Sequence, residues 1–128
     1  MIVLDSNLWI ALYSENDSQH TAAILAFSAI HEPILVPHFI IAEVCTILTR
    51  DDGKNVALAF LNRVENTAGI EMLAITAEEF TNIIEFYQQS YHPGLSFVDI
   101  FLLWLAQQYR VITLDKKLER AIARQKKV

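Results

Sequence analysis

Short apolar runs of strand length alternate along this chain with longer segments of helical period, and this alternation restricts the fold more than any other feature. The predicted strands are Ile2–Leu4, Ile34–Val36, Ile70–Ile75 and Val111–Leu114. Their nearly uninterrupted apolar character is typical of parallel strands that are covered on both faces. The sequence therefore predicts an α/β protein in which helices connect the strands of a parallel sheet.

Helical periodicity and capping signals predict seven helices between and after these strands. They are expected at 8–13, 17–31, 39–50, 55–66, 78–91, 97–109 and 117–125. Thr76 with Glu79 forms a capping-box pattern, and Ser96 with Asp99 resembles one. The segment 97–106 is apolar apart from Asp99, which predicts a central helix and makes that acid conspicuous.

Length and composition favour one compact domain away from membranes. The 128 residues are 53% hydrophobic, and the longest uncharged apolar run, 100–106, is far shorter than a membrane span of roughly 18 residues. The lone Cys45 cannot form an intramolecular disulfide, so a cytoplasmic location is the expectation. The high apolar content also indicates that a partner protein covers part of the surface.

Four acidic residues occupy positions where an α/β fold can gather them. Asp5 and Asp115 follow the first and last predicted strands, while Glu43 and Asp99 interrupt otherwise apolar helices. Parallel sheets bind ligands beyond the carboxyl ends of their strands, so these side chains are expected to converge there. Because an unpaired buried carboxylate is costly, the convergence predicts a cation site.

Oxygen-only ligands favour Mg²⁺ or Mn²⁺ over zinc, and the four histidines show no metal-binding spacing. Such an ion can activate water and neutralise charge on a phosphate, so cleavage of a phosphodiester is the reaction it suits best. Residues 116–128 carry a balance of +5, which leaves −10 for residues 1–115. This basic segment is either a nucleic-acid contact beside the acids or a solvated amphipathic helix.

The motifs, in their order and spacing, resemble those of the PIN-domain ribonucleases, and in particular the VapC-like toxins of type II toxin–antitoxin pairs. The resemblance rests on VLDSNLWIAL, IIAEVCTIL, LSFVDIFLL and VITLDKKL, and it covers residues 1–128 as a single PIN domain. It implies a three-layer α/β/α fold with a central, mainly parallel sheet of four to five strands flanked by about seven helices. It also implies a metal-dependent endoribonuclease.

The resemblance further implies a role for each matching position. Asp5 and Asp99 would bind Mg²⁺ or Mn²⁺ directly, with Glu43 and Asp115 closer to water or to a second metal ion. The polar residues that aim those carboxylates would be Ser6, Asn7, Ser96 and Thr113, for which turn or cap roles remain alternatives. Contacts to the RNA backbone are expected from Lys116, Lys117 and Arg120.

The implied partners are an RNA substrate, a second copy of the chain in a homodimer, and a cognate antitoxin protein. The alternative function is a catalytically degenerate PIN-like module that binds RNA or a protein. A response-regulator receiver would need an acid pair near the end of the first strand, where only Asp5 stands. A haloacid-dehalogenase-like phosphatase would need an acid where this chain has Asn7.

Overall fold

A computed structural model of the chain describes residues 1–126. Within them the strands are β1 (Ile2–Leu4), β2 (Ile34–Pro37), β3 (Ile70–Leu73) and β4 (Arg110–Ile112). The helices are α1 (Ser6–Tyr13), α2 (His20–Ser28), α3 (His38–Asp51), α4 (Lys54–Asn66), α5 (Ala77–Gln89), α6 (Phe97–Leu105) and α7 (Lys116–Lys126). Lys127, which belongs to the basic segment of the sequence, lies outside the described residues.

The four strands form one fully parallel sheet in the order β3-β2-β1-β4. All residues of β1 and β2 are buried, whereas the outer strands β3 and β4 are partly exposed. Apolar residues on both faces of the central strands explain their burial, because each face is covered by helices. The prediction of an α/β fold with a parallel sheet is confirmed, and its fifth strand does not occur within residues 1–126.

Helices cover the sheet in two groups. Contacts join α1 to α2 and α3, and α3 to α4, while α6 contacts both α5 and α7, which gives the three-layer α/β/α architecture. The largest side chains that are fully buried include Trp9, Phe60 and Phe101. The prediction that α6 is central is confirmed, since Ile100, Phe101, Leu102, Leu103 and Leu105 are all buried along it. No helix within residues 1–126 has the length and apolarity that crossing a membrane requires.

Several helix ends differ from the sequence prediction, and the start of α2 and the end of α6 differ by three residues or more. The helix expected from Asp17 begins at His20, because the Asp17 carboxylate accepts the Gln19 N–H at 2.7 Å and its carbonyl accepts the His20 N–H at 3.0 Å. These bonds hold the chain in a turn. The helix expected to reach residue 109 ends at Leu105, since Arg110 must already be extended to pair with Ile2.

The third strand and the fifth helix are also shorter than predicted. Strand β3 ends at Leu73 and not at Ile75, because its partner Pro37 is the last residue of β2 before α3 begins. Helix α5 ends at Gln89 and not at residue 91, which leaves residues 90–96 as a loop. Pro93 accounts for this, since proline and the residue before it disfavour helix.

Candidate active site

Asp5 is a buried carboxylate at the carboxyl end of the central strand β1. Its side chain is 4% exposed, and it caps α1 by accepting the Ser6 N–H at 2.7 Å. Its second oxygen accepts the Thr113 hydroxyl, also at 2.7 Å. Because β1 and β4 are neighbours, the backbone N–H of Asp5 donates to the Ile112 carbonyl at 2.9 Å. The first and last strands are therefore neighbours, which is the condition under which Asp5 and Asp115 reach the same edge of the sheet.

Thr113 connects Asp5 to the rest of this edge of the sheet. Its hydroxyl oxygen accepts the Asn7 side-chain amide at 3.2 Å and the Asp115 backbone N–H at 3.0 Å. The Asn7 amide oxygen in turn accepts the Leu114 N–H at 3.2 Å. Residues that lie more than 100 positions apart in sequence are therefore joined into one hydrogen-bonded network that fixes the orientation of the Asp5 carboxylate.

Asp99 takes part in a capping box at the start of α6. One of its carboxylate oxygens accepts the Ser96 N–H at 2.9 Å, and the Ser96 hydroxyl accepts the Asp99 N–H at 3.1 Å. The cap role that the sequence left open as an alternative for Ser96 is therefore present in the structure. It leaves the second carboxylate oxygen of Asp99 free of these bonds.

The remaining two predicted acids are half-buried. Glu43 lies on α3, which follows directly on β2. Asp115 precedes α7, and one of its oxygens accepts the N–H groups of Lys117 and Leu118 at 2.8 and 3.3 Å. Asp115 thus satisfies two backbone donors at the start of α7.

Two of the other predicted acids, Asp99 and Glu43, affect the titration of Asp5. Burial raises the pKa of Asp5 from 3.8 to about 6, against the lowering effect of the hydrogen bonds from Thr113 and Ser6. The negative charges of Asp99 and Glu43 contribute to the same increase. The ion pairs among residues 1–126 are Arg50–Asp51, Arg110–Glu32 and Lys116–Glu119. None of them neutralises the acids at this edge of the sheet.

The chemistry of these donors fits a small divalent cation. Asp5 is held in a fixed orientation, lies near two further acids and has no cationic side chain among residues 1–126 paired with it. In the same part of the chain, no three His, Cys, Asp or Glu side chains stand close enough to hold a metal ion by themselves. An ion such as Mg²⁺, which needs few carboxylates and keeps several waters, suits this arrangement.

The basic residues predicted to contact RNA divide between two environments on α7. Lys116 pairs with Glu119 at 3.9 Å, with both side chains largely exposed. Lys117 and Arg120 line a separate hollow together with Arg124, which the sequence analysis did not single out. The spacing of these three residues along one helical face was the available signal.

Replacing Thr113 with Val tests the hydrogen-bonded network, since it removes the hydroxyl and keeps the shape of the side chain. We expect the free energy of unfolding to fall by roughly 1–3 kcal/mol, because Asp5 and Asn7 lose a buried partner. The pKa of Asp5 should rise, because the hydrogen bond that is removed lowers it. Urea denaturation and a carboxyl NMR titration measure the two effects.

Thr81→Val is the matched control for Thr113→Val. The Thr81 hydroxyl donates only to the Ala77 carbonyl within the exposed part of α5. The Thr81→Val substitution should leave the free energy of unfolding and the pKa of Asp5 nearly unchanged. An unaltered Asp5 pKa in Thr113→Val would contradict the role given to the hydroxyl.

Comparison with known proteins assigns the family. A sequence profile of the PIN domain matches residues 2–123. Among solved structures, the chain is similar to the Mycobacterium tuberculosis toxin VapC20, which cleaves the sarcin-ricin loop, with a TM-score of 0.82 at 20% identity over 94% of this chain and 95% of that one. No curated protein sequence matches significantly. The family resemblance carried by the four motifs is thereby confirmed, and the chain belongs to the PIN domain family.

Proposed function

We propose that the protein is a divalent-metal-dependent endoribonuclease and the toxin of a toxin–antitoxin pair. The observation that carries this proposal is the buried, uncompensated carboxylate of Asp5, which shares its surroundings with Asp99 and Glu43 at the carboxyl edge of the sheet. Membership of the PIN domain family and the structural likeness to an RNA-cleaving toxin support the reaction and the biological role.

The proposed metal ligands are Asp5 and Asp99, and the proposed ion is Mg²⁺ or Mn²⁺. The Thr113 and Ser6 hydrogen bonds hold Asp5 in place, while the capping box leaves one oxygen of Asp99 for the ion. When bound, the ion supplies an activated water and neutralises charge on the phosphate. We assign the orientation of water to Glu43 and Asp115, and one oxygen of Asp115 already accepts two N–H groups at the start of α7.

The proposal also includes two protein partners and a cytoplasmic location. The exposed apolar residues Ile24, Leu25, Leu58 and Met72 offer contact area to a second copy of the chain or to an antitoxin. A reading frame beside the gene that encodes a small protein, and co-purification of the two products as a complex, would support the antitoxin. Sedimentation of the purified chain would establish whether it forms a homodimer.

Removal of the metal tests the proposed reaction. Purified protein is incubated with a pool of cellular RNAs in Mg²⁺, in Mn²⁺ or in excess EDTA, and new RNA ends are mapped by sequencing. We expect discrete new ends with either metal and none with EDTA. Cleavage should also fall as salt rises, because RNA binding releases counterions. Unimpaired cleavage in EDTA would refute a metal-dependent nuclease.

Calorimetry separates an active site from a degenerate one. Titration of Mn²⁺ into the wild-type protein should release or absorb heat with a stoichiometry near one or two ions per chain. Asp5→Ala should abolish that heat, since this carboxylate lies at the centre of the charge cluster. A heat of Mn²⁺ binding that persists in Asp5→Ala would show that the ion binds at another site.

A further inference from the structure

A hollow of about 390 Å³ lies between α7 and the loop 90–96. Its walls include Tyr91, His92, Leu95, Lys117, Arg120 and Arg124. Three of these side chains are cations, and no carboxylate of residues 1–126 lines the hollow. Such a concentration of positive charge is unexpected on a chain whose net charge is −5.

The three cationic side chains are available to bind a ligand. Lys117, Arg120 and Arg124 are exposed, and the ion pairs among residues 1–126 involve none of them. They share one face of α7, since positions three and seven residues along a helix lie above the first. The opposite face packs into the core, so the helix presents its cations from a fixed support.

The hollow adjoins the candidate active site through both of its walls. The loop continues into Ser96, whose N–H donates to Asp99, and the Lys117 N–H donates to Asp115. The two walls meet at Gly94, since a β-carbon there would lie 3.1 Å from the Lys117 ammonium nitrogen. A group bound in the hollow would therefore sit beside the proposed metal ligands.

A second hollow, of about 310 Å³, lies on the other side of the same loop. It shares Tyr91, His92 and Leu95 with the first and adds Tyr87 and Ile100 among its walls. Tyr91 is 87% exposed and Tyr87 is 44% exposed. Exposed aromatic rings next to a basic groove are how proteins hold single-stranded nucleic acid, because bases stack on the rings while cations bind the backbone.

We propose that these adjoining hollows form a subsite for one unpaired ribonucleotide that flanks the cleaved bond. Lys117, Arg120 and Arg124 bind its phosphate, and its base stacks on Tyr91. This inference rests on the proposed ribonuclease function and deepens it, because it names the residues that hold the nucleotide beside the cleaved bond. A base inside a duplex is stacked on its neighbours and cannot reach Tyr91.

Binding of a fluorescent single-stranded oligoribonucleotide tests the phosphate half of the subsite. Proteins carrying Asp99→Asn keep the RNA intact, and anisotropy reports affinity over a range of salt concentrations. Arg120→Gln with Arg124→Gln should weaken binding about tenfold or more, and should reduce the slope of log affinity against log salt by roughly 0.7 for each phosphate that is no longer neutralised. Both arginines are exposed, so the fold should persist.

The matched control is Arg50→Gln with Lys54→Gln, which removes the same charge from exposed positions in the last turn of α3 and at the start of α4. It should change affinity less than about twofold. Equal losses of affinity in the two double variants would show that only net charge matters and would overturn the subsite.

Tyr91→Ala tests the base half of the subsite. With an intact single strand it should weaken binding about tenfold. With a strand that lacks the base at the flanking position, the variant and its Tyr91 parent should bind alike. An equal loss of affinity on both strands, or a duplex that binds as tightly as the single strand, would overturn base stacking.

The two proposals fail in different ways. If the wild-type protein cleaves no RNA but the arginine variants still lose affinity selectively, the subsite stands and the nuclease proposal falls. If cleavage depends on Mg²⁺ while the arginine and tyrosine variants keep the KM and affinity of their parents, the nuclease stands and the subsite falls.

Discussion

Replacing Asp99 with Asn should reduce RNA cleavage at least about 1,000-fold while the protein stays folded. The substitution removes one of the two proposed direct metal ligands, and a bound metal ion supplies several kcal/mol of transition-state stabilisation in sites of this kind. The amide oxygen of Asn can still accept the Ser96 N–H, so the cap of α6 survives. Cleavage rates in Mg²⁺ and circular dichroism measure the two effects.

The same substitution should also change Asp5. The negative charge of Asp99 contributes to the raised pKa of Asp5, so that pKa should fall when the charge is removed. At neutral pH the metal-free variant should be as stable as the wild type or slightly more stable, because one repulsion is gone. A carboxyl NMR titration of Asp5 reads this coupling directly.

Glu79→Gln provides a matched control within the same chain. Glu79 forms the equivalent capping box with Thr76 at the start of α5, with bonds of 3.0 Å in both directions. It should leave cleavage and the pKa of Asp5 unchanged. Full activity in a purified Asp99→Asn protein would show that this acid is only a helix cap.

The metal-free protein should lose about 3 kcal/mol of stability as pH rises from about 3 to above 6. The pKa of Asp5 is about 6 in the folded protein and 3.8 in its ordinary state. Well below pH 3.8 the carboxyl is protonated in both folded and unfolded chains and carries no penalty. Between these values only the unfolded chain releases the proton, so unfolding becomes easier, and one pKa unit corresponds to about 1.4 kcal/mol.

Urea denaturation in EDTA across this pH range measures the decrease in stability, and Asp5→Asn isolates the part due to Asp5. The Asn side chain offers the Thr113 hydroxyl an amide in place of a carboxylate, so the absolute stability of the variant will differ from that of the wild type. The pH dependence of the variant's stability should be flatter than that of the wild type. Saturating Mg²⁺ should restore wild-type stability above pH 6, because the ion binds the ionised folded state. Identical pH profiles for the two proteins would contradict the raised pKa.

The fold was predictable where the apolar pattern alone decides it. The runs Ile2–Leu4 and Ile34–Val36 are buried on both faces, and no polar residue competes for their positions. Their order in the sheet was conditional in the sequence analysis, because pairing between β1 and β4 spans over 100 residues. The boundaries of α2 and β3 depended on one side-chain bond at Asp17 and on where a partner strand ends, which periodicity does not register.

The candidate site was predictable in its members but not in their bonds. Asp5 and Asp115 were located by strand ends, and Asn7 and Thr113 by motif positions. Spacing indicated the capping box of Asp99 but could not show that Thr113 holds both Asp5 and Asp115, nor that Asp115 also caps a helix. Spacing also could not distinguish Lys116, which pairs with Glu119, from the residues of α7 that line the basic hollow. Those residues are Lys117, Arg120 and Arg124.

The central position of β1 determines when the site can exist during synthesis. Asp5 leaves the ribosome early, but its partner Thr113 and the strand beside it are made more than 100 residues later. Contacts of such large sequence separation form only once both segments are available, so the site cannot form before the segment that carries Thr113 has left the ribosome. The proposed activity therefore begins only after that point in synthesis.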